Sequence, residues 1–472
     1  MAMGIMIVLT GLVLVFGRQM RVEALASGNL VASLQADAIV AGAAKHVVNQ
    51  LVTNLTTNFL EPLQSNIDQE IQAQAVALGD GLFWIVRPNA DDERQYSFGV
   101  VDEASKLNLN SSIPKIPGLP QVAPTYMLML LPGRTPDLAA SIVDWRSYNQ
   151  ADPGQGGAES SYYEQLPEPY YCKNSPFETL DELRLVKGAT PEILYGVDVN
   201  HNGVVDEEET GQAPVLAGLN GQSQCGICKF LTVYSAQPNT SLRGRPRTYV
   251  GDNTAPTLAA LANLLSTNRS HPFAAGRVAA IIARLRGRPP ALNVLDFYAK
   301  SGMTIDEFKS VADKLTTSRS QTLTGLINVN TAPREVLICL PGLTEGDVEQ
   351  LIATRSANGP DLDTIAWVAE ALSMQKAAAI GGLITTRSYQ YSADIVAVAG
   401  NGRGFKRCKY VFDLRYSPAR ILLRQDLTHL GWPLDAKLWE DIRAGKVVPS
   451  SGLLPGLSNA STAGGAGTGG RP

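Results

Sequence analysis

The chain has 472 residues, of which 44% are hydrophobic and 18% charged, and 44 acidic against 40 basic side chains leave a formal net charge of −4. Such a length buries more than one core, so two or three domains are expected, and the near balance of charge singles out no class of partner. Five cysteines (Cys172, Cys225, Cys228, Cys339, Cys408) are too few for a disulfide-stapled scaffold, and their odd number leaves at least one outside any intramolecular pair.

The first element is the longest. Met1 to Phe16 carries no charge, runs into Arg18 and Arg21, and continues as an alanine-rich helical pattern with no proline before Pro62. An unbroken helix of that length would reach about 90 Å, more than one ordinary domain can pack. Residues 1–17 therefore read as a transmembrane segment at the short end of the usual range, not as a cleaved signal, because no basic residue precedes the apolar run. Residues 18–60 read as an amphipathic helix, with Leu25, Leu30, Leu34, Ala38, Ala41, Val48, Leu51 and Leu55 at three- and four-residue steps. Its small residues, Ala26, Gly28, Ala32, Ala36, Gly42 and Ala43, would admit a second helix. Arg18 and Arg21 on the inner flank argue by the positive-inside rule for a cytoplasmic body, against the periplasmic placement reached below.

Residues 61–125 begin with a second helical segment from Pro62 to about Leu78. A β-hairpin follows, with Leu82–Val86 and Tyr96–Val101 as strands, and then a linker holding Pro114, Pro117, Pro120 and Pro124. Residues 126–229 read as an inserted helical domain in which two short helices meet at Gly188. Residues 230–235 are strand-like, 236–325 form an Arg-rich helical insertion, and 326–424 hold a second helix–turn–helix unit and a hairpin across Gly400–Gly404. Residues 425–472 are a tail whose Ser/Gly/Ala-rich part, after about 448, is expected to be disordered.

The sharpest chemical signal is the run from Asp198 to Glu209. Asp198, Asn200, Asn202 and Asp206 stand at positions 1, 3, 5 and 9 of a twelve-residue calcium loop, with Gly203 at the sharp turn. Val204 would offer its backbone carbonyl and Glu209 a bidentate carboxylate. Gly211 and Pro214 prevent a full exit helix, so the loop is expected to hold Ca2+ as a structural staple and not as a sensor.

Other chemistry is sparse. Cys225-Gly-Ile-Cys228 has no second pair for zinc and no preceding strand for a redox site. A structural disulfide, within the pair or to Cys172, is the leading reading, ahead of metal binding and redox catalysis. The four histidines (His46, His201, His271, His429) are far apart in the chain and form no triad or ligand pattern. Eight arginines between Arg243 and Pro290 against one acid, Asp252, could meet anionic lipid or an acidic partner, or form a solvated helix face. The Leu340-Pro-Gly-Leu-Thr344 turn resembles a helix–hairpin–helix unit. Its flanks Glu345, Asp347 and Glu349 would repel phosphate, so no nucleic acid is expected.

Further motifs follow one another in a fixed order: Arg21-Val-Glu-Ala-Leu, Val101-Asp-Glu-Ala-Ser-Lys-Leu-Asn-Leu-Asn110, Ile142-Val-Asp-Trp-Arg146 and Ala158-Glu159 with Tyr162-Tyr163. They continue in Lys173 to Leu183, Thr190 to Gly196, Phe230 to Tyr234 and Ile327 to Pro333. Together these motifs resemble a family: the minor pseudopilin K of the type II (general) secretion pathway. The calcium loop and the Arg-rich insertion lie outside these motifs.

The resemblance implies an α+β, pilin-like fold with a long N-terminal transmembrane helix, an antiparallel sheet and a large inserted helical domain with helix–hairpin–helix-like units. It implies a subunit at the tip of a periplasmic pseudopilus that acts with minor pseudopilins I and J, primes assembly from the inner membrane and has no enzymatic activity. Secreted proteins are further possible partners. Pseudopilins carry a glutamate five residues into the mature helix and the K member lacks it; here only apolar residues or Thr10 stand there. The alternatives are a pilin-like subunit of an adhesion or DNA-uptake pilus and, more remotely, a membrane-tethered enzyme.

Overall fold

The computed structural model describes residues 2–58, 71–89, 92–117, 123–131, 135–147, 156–206, 209, 224–269, 271–358, 362–400 and 402–447. Ala2–Asn58 is a single helix. Its two halves differ in what they touch. Leu9, Leu12, Phe16, Met20, Leu25, Leu30 and Leu34 are all exposed, whereas Ala32, Ala36, Ile39, Val40, Ala43, Ala44, Val47 and Leu51 are buried. The buried set repeats at three and four residues, the stripe of a helix lying on a surface.

That surface is a seven-stranded antiparallel sheet. Its strands are β1 (Val76–Leu78), β2 (Gly81–Arg87), β3 (Ser97–Phe98), β4 (Val101–Asp102), β5 (Gln390–Val398), β6 (Phe405–Asp413) and β7 (Arg420–Asp426). The order is β1-β2-β5-β6-β7, with β3 on β2 and β4 on β5. The register sets Ile395 opposite both Ile85 and Cys408. One face, with Phe83, Ile85, Ala393, Ile395, Ala397, Cys408, Tyr410 and Phe412, packs on the long helix. Close approach there uses small residues. A Cβ on Gly81 would stand 2.4 Å from Ile39 Cδ1, and one on Gly404 would stand 3.1 Å from Ala32. Ala32, Ala36 and Ala43, expected to admit a second helix, thus meet the chain's own sheet.

The other face carries Trp84, Val86, Val396 and Val398. Leu434, Trp432, Trp439 and Ile442 cover it. The C-terminal segment is therefore structured beyond β7: Asp435 caps the helix Ala436–Arg443 by accepting from Lys437 N at 2.7 Å. Residues 448–472, where disorder is expected, lie outside the described residues.

The chain leaves the sheet at Asp102 and re-enters at Gln390. The described residues between form a mainly helical body. Trp145, Leu183, Val250, Leu258, Ile281, Phe308, Leu340 and Trp367 all belong to its one core, so the segments read as 126–229, 236–325 and 326–424 meet around a shared interior. Short parallel pairs, Leu107–Asn108 with Leu231–Thr232 and Ile327–Asn328 with Ile384–Thr385, stitch distant parts together.

Two carboxylates weld this body to the sheet. The buried Asp102 accepts from Asn328 Nδ2 at 3.0 Å, Thr331 Oγ1 at 2.5 Å and Ser388 Oγ at 2.5 Å. Glu103 accepts from Lys106 Nζ at 2.6 Å and Ser392 Oγ at 2.6 Å, and also from Thr232. Buried charges persist only when satisfied in this way.

The structure departs from the sequence reading elsewhere. Of the helix expected from Pro62 to Leu78, residues 62–70 lie outside the described residues and Val76–Leu78 is a strand, because pairing with β2 overrides local propensity. Leu180–Leu185, read as a short helix, is a 3-10 turn held by a Thr179/Glu182 capping box. Among the described residues, no disulfide joins any of the five cysteines.

Candidate functional site

The acidic loop starts where the helix Pro191–Tyr195 ends at Gly196, whose φ of 69° breaks the helix. A Cβ at Gly196 would stand 1.8 Å from Gln224 O, so the chain can pass there only as glycine. Asp198 then turns its carboxylate back into the loop, accepting from Asn202 N at 3.0 Å and Gly203 N at 2.8 Å. Asn200 Oδ1 accepts from Asn202 N at 2.9 Å, and Asn202 Oδ1 from Val204 N at 2.6 Å. Gly203 has φ 78°, and a side chain on it would strike Pro88.

Glu209 closes the ring. Its Oε1 accepts from Val199 N at 2.8 Å and Asn200 N at 3.4 Å, and its Oε2 from Asp206 N at 3.1 Å. Asp206 Oδ2 accepts from Asn200 Nδ2 at 2.7 Å and Asn202 Nδ2 at 3.1 Å, and Oδ1 from the Tyr96 hydroxyl. The side chains of Asp198, Asn200, Asn202, Asp206 and Glu209 are thus drawn into one interlocked loop, while Val204 is buried beside them. Burial, and then the neighbouring Glu209, pushes the Asp198 carboxyl up to about 7, and burial also raises Glu209. After burial, the Glu209 charge adds to the rise at Asp198 and the Asp206 charge to that at Glu209, so these carboxylates repel one another.

The donors are all oxygen, which suits a hard cation such as Ca2+ and not zinc. Among the described residues no three His, Cys, Asp or Glu side chains form a metal cluster. Amide and carbonyl oxygens would therefore have to supply much of any coordination here.

The loop is bolted to the sheet. Arg407 on β6, fully buried, donates to Asn200 O at 2.6 Å and His201 O at 2.9 Å while pairing with Asp394 on β5. Asn202 Nδ2 donates to Pro433 O at 2.8 Å, and Val205 N to Glu93 O at 2.7 Å. His201 stacks on Tyr195 with ring centroids 3.7 Å apart, and burial, followed by the nearby Arg184, lowers its pKa to about 4.

Cys225 and Cys228 lie beside the loop. Burial raises both thiols, Cys228 to about 12, so neither supplies a reactive thiolate. At the second helix–turn–helix unit, the Thr344 amide and hydroxyl both donate to Asp347 Oδ2, at 2.7 and 2.5 Å. Both Thr344 donors are therefore engaged within the turn.

One further polar site was not singled out for chemistry in the sequence. Glu159 Oε1 and Asn174 Oδ1 are buried with no hydrogen-bond partner among the described residues. Burial, with the adjacent Asp144 charge, raises the Glu159 carboxyl. The signal available in advance was indirect: Asp144, Glu159 and Asn174 each stand in a motif that carries the family resemblance.

Two families, both described as Type II secretion system (T2SS), protein K, match the chain, one over residues 125–197 and the other over 327–387. No curated protein matches it. Among solved structures, the crystal structure of the GspK-GspI-GspJ complex from the enterotoxigenic Escherichia coli Type 2 Secretion System is similar at 12% identity. That alignment covers 86% of this chain and 99% of the other, with a TM-score of 0.36.

Proposed function

We propose that this chain is a member of the type II secretion system protein K family, a reading supported by the two segments, 125–197 and 327–387, that match models of that family. It is a minor pseudopilin, anchored in the inner membrane by the apolar start of its long helix, with its body in the periplasm. It assembles with minor pseudopilins of the I and J types, the proteins named with GspK in the solved complex. It sits at the pseudopilus tip and primes assembly for protein export, a structural role and not a catalytic one.

The observation that carries this reading is the division of labour along one helix. The N-terminal half offers an uncovered apolar surface, with one window apolar enough to cross a membrane, and the C-terminal half is clamped on the sheet. The helical body, which contains both family segments, hangs from the sheet end farthest from that apolar start. A subunit so capped has its bulk where a next subunit would stack, which favours the tip. Deleting the gene should abolish export by the secretion system of its host, with rescue by the full chain. Undiminished export would sink the proposal. A periplasm-dependent reporter fused after Val447 should be active, whereas an inactive, stable fusion would place the body in the cytoplasm.

The loop from Asp198 to Glu209 is proposed to hold Ca2+ structurally, with Asp198, Asn200, Asn202, Asp206 and Glu209 giving side-chain oxygens and Val204 its carbonyl. The bound ion would neutralise crowded carboxylates and so brace the seam between body and sheet. Saturation at a hundredfold over Kd would add about 2.7 kcal/mol of stability. Melting should therefore shift upward with Ca2+ in the wild type and not in Asp198→Ala. Absence of a shift in the wild type removes the claim.

A further inference from the structure

Between Asp252 and Asp296 the chain has no acidic residue and five arginines, Arg269, Arg277, Arg284, Arg286 and Arg288. This stretch folds as a helical hairpin, Ala255–Ser266 against Ala275–Arg286, that buries Leu258, Leu261, Leu265, Val278, Ile281 and Leu285. Its outward side is made of small or uncharged residues, including Ala259, Ala260, Asn263, Ala279, Ala280 and Ala283.

The cations fall into two groups. Those that serve the fold have partners: Arg277 with Glu307, Arg247 and Arg387 with Asp313, Lys300 with Asp296 and Arg319 with Asp252. Arg284, Arg286 and Arg288 at one end of the hairpin are exposed and make no ion pair among the described residues. Arg269 and Arg243 are likewise exposed and unpaired at the other end. There Lys314 Nζ is 2.7 Å from Asn268 Oδ1, and the nearby Arg243 contributes to lowering the Lys314 pKa, after burial. Like charges gathered without partners weaken the fold that holds them, so the gathering calls for an external counter-charge.

Location decides between lipid and protein. The long helix meets the sheet at the Val398–Gly404 end, where Ala32 touches Gly404. The body joins at the opposite end, through Asp102, Ser388 and Gln390. From there Ile384–Thr385 follows the helix Met374–Ile380, which packs on Val294–Ser301, which packs on Ala275–Arg286. The length of β5 is about 27 Å, and successive helix layers add about 9 Å each. The hairpin is therefore joined to the sheet only through two intervening helices and is not part of the end where the long helix enters. Nor does the outward side present an aromatic for base stacking, since Phe273 is buried.

We propose that the outward side of this hairpin is a docking surface for an acidic protein segment. Its carboxylates would pair with Arg284, Arg286 and Arg288 at one end and with Arg243 and Arg269 at the other, while the alanines let its backbone lie close. Arginine suits this task because its planar fork binds carboxylate bidentately. The proposal rests on the hairpin alone, so its failure would leave the export role and the calcium loop untouched.

The test uses the full chain in detergent micelles and fluorescein-labelled poly-L-glutamate, read by anisotropy. Saturable binding is expected at about 50 mM salt and should weaken strongly by about 300 mM. R284E/R286E/R288E should lose about tenfold or more in affinity, and R243E/R269E should also weaken it. The melting temperatures of both should not fall below the wild type, because none of these side chains is paired and their mutual repulsion is removed. R420E/K437E/R443E, an equal charge change on exposed residues near the sheet, should bind as the wild type does. The proposal is overturned if R284E/R286E/R288E binds like the wild type or if the control weakens equally. It is also overturned if these arginines bind phosphatidylglycerol vesicles or duplex DNA while poly-L-glutamate does not bind.

Discussion

Arg407 is fully buried, yet none of its charge is wasted. Its Nε lies 3.0 Å from Asp394 Oδ1 and its Nη2 2.6 Å from Asp394 Oδ2, and its remaining donors hold the carbonyls of Asn200 and His201. One side chain thereby ties β5, β6 and the acidic loop together. Arg407→Ala leaves Asp394 as an uncompensated charge and two carbonyls without donors, which should cost about 3–5 kcal/mol. Equilibrium unfolding in urea would measure this, and a loss below about 1 kcal/mol would show that the joint carries little. None of this could be read from Phe405-Lys-Arg-Cys-Lys-Tyr, where the strand pattern is plain but Lys406, Arg407 and Lys409 look alike. Which cation is buried depends on a loop some two hundred residues earlier in the chain. The loop's own ring, by contrast, follows the sequence spacing, because its bonds are local Asx turns and a glutamate reaching back.

At the scale of elements, the helix Glu345–Asn358 is tied to Met374–Ile380 through Asp347, whose Oδ2 lies 2.5 Å from Lys376 Nζ. That ammonium, followed by the Thr344 hydroxyl, pulls the carboxyl from its ordinary 3.8 down to about 2. A folded pKa below the unfolded one stabilises the fold above about pH 4, and the contribution is lost as pH falls through about 2. Asp347→Asn should therefore lower the melting temperature at pH 5 and narrow its gap to the wild type at pH 2.5; a gap independent of pH would exclude the ion pair as the cause. The long helix makes a different demand. Ala43 is buried under the sheet, so Ala43→Leu should overpack that contact and cost about 1–3 kcal/mol in denaturant unfolding. The helix itself was legible from periodicity and the absence of proline. Which small residues serve the sheet was not, since a helix and a sheet both accept an alanine stripe.

At the scale of the whole molecule, the first continuous packing begins at Ala32, and Leu9 to Leu30 contribute almost nothing to the folded body. A chain starting at residue 29 should therefore be soluble without detergent and melt within a few degrees of the full chain. Aggregation or a large drop in melting temperature would mean that the exposed half also stabilises the body. On the proposed role, the same chain should fail to restore export, because it lacks the apolar start of the helix.

The sequence by itself determined the long helix with its apolar start, the β5–β6 hairpin, the acidic loop and the family resemblance. Each depends on neighbours in the chain: periodicity, a glycine-rich turn, or ligand spacing. Only the tertiary structure decided that the body has one core from Leu107 to Ile384, that the C-terminal segment covers Trp84 and Val396, and that no disulfide joins the cysteines among the described residues. It also decided that Arg277 is neutralised by Glu307 while Arg284, Arg286 and Arg288 on the same hairpin make no ion pair among the described residues. Burial and charge pairing are set by residues far apart in sequence, and composition alone does not say which of them meet.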